Sequence, residues 1–235
     1  MRTNVEVQPR PRFQDRRHAG SALAGELSVY AGRDDLVVLG LPRGGVPVAF
    51  EVAVALGAPL DVFVVRKLGF PGHEEFAMGA IASGGVRVLN PELRDELATR
   101  GAMVDTVAAR ELTELERRES LYRHGRQPIP LKGRCVIIID DGLATGSSML
   151  AAVTALQRHR PGRIVVGVPV GSRDACSRLG REVDDIVCAT TPEPFSAVGR
   201  WYERFDQTSD EEVTELLELA LLAWSRHSNF PPEPN

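Results

Sequence analysis

The chain has 235 residues, a formal net charge of -4, 43% hydrophobic and 26% charged residues. That length suits one substantial α/β domain, and the balance excludes both a wholly disordered chain and a globally basic nucleic-acid binder. No stretch approaches the roughly 18 apolar residues of a membrane span. The polar N-terminus has no apolar signal core. Cys135, Cys176 and Cys188 lack the close spacing of a zinc or redox motif, so a reduced, cytoplasmic setting is expected.

In chain order, residues 1–14 read as an extended, flexible arm, and the arginines at 10, 12, 16 and 17 form a local basic cluster. Asp15 opens an amphipathic helix with Ala19, Ala22, Leu23, Leu27 and Tyr30 on one face. Residues 36–41 are a continuous apolar run, the mark of a strand buried on both faces. The run stops at Pro42, Arg43, Gly44 and Gly45, and residues 46–56 turn helical. Residues 61–65 are a second buried strand, which makes a parallel crossover unit. From 66 to 90 the pattern loosens. Gly69, Pro71 and Gly72 break regular structure, and 76–81 and 86–89 flank Ser83, Gly84 and Gly85 as a hairpin. Asn90 and Pro91 mark a helix start, and 104–122 carry apolar residues at helical spacing.

Residues 135–139 are the most strand-like run, followed by a Gly/Thr/Ser loop and a helix over 147–159. Residues 164–168 and 186–189 complete five central strands. Ser209 and Glu212 form a capping box before a helix with Val213, Leu216, Leu217, Ala220, Leu221 and Trp224 on one face. Residues 229–235 read as a proline-rich flexible tail. Several nucleotide and catalytic motifs are missing: no Gly-x-Gly, Gly-Lys, Gly-x-Ser-x-Gly or His-Glu-x-x-His occurs. The five histidines show no metal-ligand spacing.

The informative segment is VIIIDDGLATGSS, residues 136–148. A buried strand delivers Asp140 and Asp141 to the carboxyl edge of the sheet, where open α/β sheets bind ligands. Gly146 lets the backbone turn sharply into a helix. The amides of residues 145–148 and the hydroxyls of Thr145, Ser147 and Ser148 then converge on one spot, which suits a phosphate dianion. The two carboxylates suit sugar hydroxyls or a cation beside it. A ribose 5-phosphate has both halves of that chemistry. An ordinary strand-to-helix turn with a capping serine is the alternative.

This segment resembles the phosphoribosyl diphosphate (PRPP) signature of type I phosphoribosyltransferases, with every position matched from the acid pair through Ala144, Thr145, Gly146, Ser147 and Ser148. The chain is similar in particular to bacterial phosphoribosyltransferases of unassigned substrate. The resemblance implies a central, mainly parallel five-stranded sheet flanked by helices, with a flexible lid hairpin at about 66–90 and a small hood at about 190–206 plus terminal segments. It implies one domain over 15–225. Arg43, Gly44 and Gly45 resemble the diphosphate loop, with Arg66 and Lys67 adding charge from the lid. Residues 144–148 would hold the 5-phosphate, and Asp140 and Asp141 the ribose hydroxyls or, through them or water, Mg²⁺. Catalysis would fall to Asp140, Asp141, Arg43 and Lys67, with PRPP and a nitrogenous base as substrates.

One departure bears on the acceptor. Hypoxanthine-guanine enzymes carry Asp just before the Thr-Gly of this loop, where this chain has Ala144. His73, Glu74 and Glu75 are candidate proton carriers in the lid. Family members are commonly homodimers. A non-catalytic PRPP or nucleotide sensor that contacts RNA is the second hypothesis, resting on the arginine cluster. A phosphatase is the third, and adjacent aspartates on a strand end, facing opposite sides, argue against it.

Overall fold

The computed structural model describes residues 12–90, 93 and 97–227. In chain order these form α1 (Arg16–Glu26), β1 (Leu36–Gly40), α2 (Gly45–Leu56), β2 (Leu60–Val62), β3 (Val65–Phe70), β4 (His73–Ala82), β5 (Val86–Leu89), α3 (Gly101–Arg123), β6 (Cys135–Ile139), α4 (Ser147–Gln157), β7 (Arg163–Val170), α5 (Arg173–Leu179), β8 (Asp185–Thr190) and α6 (Asp210–His227).

The five expected central strands make one parallel sheet in the order β2-β1-β6-β7-β8. Strand alternation sends Val37, Leu39, Val136, Ile138 and Val166 to one face, where they pack with Met149, Val153 and Leu156 of α4. Leu36, Val38, Ile137 and Ile139 go to the other face, against Leu23 and Leu27 and against Val48 and Val52 of α2. Apolar residues on both faces of these strands explain why they read as unbroken hydrophobic runs.

The segment from 66 to 90 is more ordered than its sequence suggests. Residues Val65–Phe70 form a third strand that the sequence reading lacked, with Gly69 inside it, and Gly72 at φ +79° closes its turn into β4. The expected hairpin is therefore two-thirds of an antiparallel β3-β4-β5 sheet. Leu68, Met78 and Ile81 are fully buried and join a core with Val46, Phe50, Val104, Leu115 and Val213. This second sheet packs against α3 and α4, and its buried residues share a core with those of α2 and α6.

Other expectations shift in detail. Asp15 caps α1 by accepting the His18 N–H at 2.9 Å, but Ala22 is exposed and Ala24 takes its place in the buried face. Residues 1–11 and 228–235 lie outside the described residues. The last part of the expected arm is pinned rather than free: the Phe13 N–H donates to the Trp201 carbonyl, and the Glu203 N–H to the Phe13 carbonyl. The helix start expected at Asn90 and Pro91 falls, at Pro91, outside the described residues, and α3 begins at Gly101. The short helix α5 had no counterpart in the sequence reading. It carries Cys176 against β8, where it forms a disulfide with Cys188 despite the lack of motif spacing, leaving Cys135 as a buried free thiol.

Candidate active site

Strands β1 and β6 are neighbours in register, Gly40 beside Ile139, so their following loops leave the same sheet edge side by side. The Leu41 N–H donates to the Ile139 carbonyl at 2.8 Å and fixes their spacing. Glycine allows the rest of the approach. A β-carbon on Gly45 would lie 2.6 Å from the Ile139 carbonyl oxygen and 2.9 Å from the Asp140 Cα; one on Gly44 would collide with the Asp141 carboxylate. The Pro42–Arg43 peptide bond in this turn is cis.

Both acids therefore lie against the 43–45 turn. The expectation that they face opposite sides is corrected, because β6 ends at Ile139 and strand alternation ends with it. Asp140 accepts the Asp141 N–H on Oδ1 at 2.9 Å. Burial, reinforced by the neighbouring Asp141 charge, holds the Asp140 carboxyl well above the usual carboxylate range. Burial also raises Asp141, while Arg16 opposes that rise through an Nε–Oδ2 contact of 2.8 Å. The Tyr202 hydroxyl donates to the Asp141 carbonyl at 2.6 Å.

Beyond the acids, the loop rests on the end of β7 and on α5. Leu143 is buried; its N–H donates to the Val170 carbonyl, and its own carbonyl accepts the Ser172 N–H. The Ser172 hydroxyl donates to the Ala144 carbonyl at 2.7 Å, and Arg178 to the Thr145 carbonyl at 2.6 Å. Gly146 then turns at φ +75° into α4. No side chain caps α4 beyond a long 3.5 Å approach of the Ser147 N–H to Thr145 Oγ1. Thr145, Ser147 and Ser148 are exposed there, with 3.2 Å between the Thr145 and Ser147 hydroxyl oxygens. An exposed helix start with free amides and hydroxyls can hold an anion.

The structure thus brings together Arg43, Gly44, Gly45, Asp140 and Asp141, with residues 144–148 continuing the same loop. Arg43 reaches Asp210 in the first turn of α6 at 3.8 Å, and Tyr122 donates to the same carboxylate at 2.6 Å. Arg66 and Lys67 diverge. Arg66 is bound by Glu111 of α3 at 2.6 and 2.9 Å, while Lys67 is exposed. His73 is exposed too, and the side chains of Glu74 and Glu75 lie outside the described residues. Among the described residues no group of three or more His, Cys, Asp or Glu gathers as a metal site.

Sequence reading missed Arg16, Ser172 and Arg178. Arg16 had a signal: positions 16, 19, 23, 27 and 30 lie on one helical stripe, so this arginine sits in line with the buried face of α1. Ser172 and Arg178 had none, since α5 itself went unrecognised.

The Phosphoribosyl transferase domain family matches residues 14–196, and the chain belongs to that family. Two Mycobacterium tuberculosis proteins, from strains H37Rv and CDC 1551, each named "Putative phosphoribosyl transferase", are 49% identical over 208 residues. That match covers 88% of this chain but 47% of theirs, so the chain spans about half the length of these relatives. The crystal structure of TT1426 from Thermus thermophilus superimposes with a TM-score of 0.76 at 45% identity, covering 88% of this chain and 97% of that one.

Proposed function

We propose that the chain transfers the ribose 5-phosphate unit of PRPP to a nitrogen nucleophile and releases diphosphate. The observation that carries this reading is the pairing of two loops at one sheet edge: a bare helix start beside two acids, packed against an Arg-Gly-Gly turn. The family match over residues 14–196 supports it.

The roles follow from charge. At the transition state positive charge grows on the ribose while negative charge leaves on diphosphate. Asp140 and Asp141 face the ribose hydroxyls and stabilise the forming cation. Arg43 and the amides of Gly44 and Gly45 take the leaving diphosphate. Residues 144–148 anchor the 5-phosphate, a remote group that positions the reacting carbon. From the second sheet, the exposed Lys67 is better placed to add charge than Arg66, which Glu111 already holds.

Mg²⁺ fits this donor set as an ion held by one or two carboxylates plus substrate oxygens and water, through Asp140 and Asp141. Bound there, it would neutralise charge on the departing diphosphate. Ala144 leaves the position before Thr145 without a proton carrier, which disfavours a 6-oxopurine acceptor. Of the arginine cluster behind the RNA-contacting alternative, Arg16 turns inward to Asp141 and Arg17 pairs with Glu51, which weakens that reading.

The test is calorimetric titration with Mg·PRPP, followed by a screen of purines, pyrimidines and small amines for diphosphate release. Micromolar Mg·PRPP binding and release dependent on one acceptor class are expected. No binding of Mg·PRPP would refute the assignment.

A further inference from the structure

Arg16 opens α1, and the burial of Ala19, Leu23 and Leu27 carries its side chain toward the ligand edge of the sheet rather than into water. There it touches three separate pieces of chain. Its Nε–H donates to Asp141 Oδ2 at 2.8 Å, and an Nη1 hydrogen goes to the Asp206 carbonyl at 2.6 Å. The guanidinium lies over the Phe205 ring, 3.9 Å from its centroid. The side chain is only 12% exposed, and a β-carbon on Gly44 would come within 3.3 Å of its Nε. One planar fork therefore joins the acid loop, the loop after β8 and the edge of the 43–45 turn. A lysine ammonium could serve any one of these contacts but not all in fixed directions.

We propose that Arg16 is a positioning residue for phosphoribosyl transfer, holding the Asp141 carboxylate beneath Gly44 and coupling it to the loop that bears Phe205 and Asp206. This rests on the PRPP reading above. Arg16 occupies Oδ2, so Oδ1 is the oxygen left to meet the ribose hydroxyls. The coupling has a second strand. Tyr202 holds the Asp141 carbonyl, and its ring packs on Phe205 with centroids 4.9 Å apart. Filling the ribose site is therefore felt at Trp201, next to Tyr202, before any acceptor arrives.

The experiment uses the full chain carrying Trp224→Phe, which leaves Trp201 as the single tryptophan. Three quantities are read with Mg·PRPP as the probe: Kd by calorimetry, the Trp201 emission change on binding, and diphosphate release with water as acceptor, which yields ribose 5-phosphate. In Arg16→Gln we expect Kd within threefold of the parent, release at least tenfold slower, and no Trp201 response. Arg16→Lys should regain part of the rate and, if the glutamine variant does not fold, carries the comparison alone. An unchanged rate and response in either variant would overturn the proposal. So would loss of binding in step with loss of cooperative unfolding, which would make Arg16 a fold anchor only, or a parent protein that binds Mg·PRPP with no Trp201 response. A parent that does not bind Mg·PRPP refutes the PRPP reading itself.

Discussion

Asp140→Asn should make the protein more stable and nearly inactive, and the size of the gain should depend on pH. The Asp140 carboxyl is raised by burial first and by Asp141 second. The cation nearby, Arg16, is engaged with Asp141. An acid whose folded pKa exceeds its unfolded value binds its proton more tightly when folded. Its contribution to stability is thus full below the unfolded pKa of about 3.9, and is lost as pH rises through the folded value. Each unit of difference is worth about 1.4 kcal/mol. Asparagine never ionises, and its Oδ1 can still accept the Asp141 N–H now found at 2.9 Å. Relief of an unfavourable buried charge should contribute about 1–2 kcal/mol at pH 8. For a chain of this size that is about 2–8 °C in Tm. Turnover should fall about 100-fold or more, the usual cost of removing an electrostatic stabiliser. Thermal unfolding followed by circular dichroism at pH 5 and pH 8, with a diphosphate-release assay alongside, measures both effects. A lower Tm for the variant at pH 8, or an equal gain at both pH values, would refute the reasoning.

Gly146→Ala should cost about 1–2 kcal/mol for a left-handed backbone, because the space around it is ordinary, with Leu179 Cδ1 3.4 Å away. Gly146→Val should abolish Mg·PRPP binding; an unchanged calorimetric affinity would remove the 5-phosphate assignment. Tyr202→Phe leaves the Asp141 carbonyl unpaired and should cost about 1–3 kcal/mol in urea unfolding. Lys67→Ala should weaken Mg·PRPP binding with Tm unchanged, whereas Arg66→Ala, which leaves the buried Glu111 carboxylate with Arg110 as its remaining partner, should lower Tm; the reverse pattern would exchange their roles. Denatured, unreduced protein should show one titratable thiol, Cys135, and reduction of the Cys176–Cys188 pair should remove about 3 kcal/mol. Three thiols without reductant would contradict that pairing.

The parallel sheet was legible because strands buried on both faces are written as unbroken apolar runs: 36–41, 135–139, 164–168 and 186–189 lie on observed central strands or directly continue them, while 61–65 overshoots, since β2 ends at Val62 and Val65 begins β3 of the second sheet. The loop at 136–148 was legible because few residue types fit an anion-binding turn. β3 escaped because Gly69 and Pro71 look like breakers, while its partner β4 supplies the pairing that overrides them. Segment α5 is too short to show a period, and with it went Ser172, Arg178 and the contact of Cys176 with Cys188. Arg16 reads as part of a charged arm because charge is visible in a sequence and its distant partner, Asp141, is not.

The space beside Gly44 is shared property. The carboxylate of Asp141 fills the volume where a side chain on Gly44 would begin, so two segments nearly a hundred positions apart constrain each other's size. Lengthening the acid to glutamate, or adding even a methyl at position 44, forces the other to move. Drift at either place should therefore arrive as compensated pairs, and a designer who wishes to recast this pocket must redraw both walls in one step.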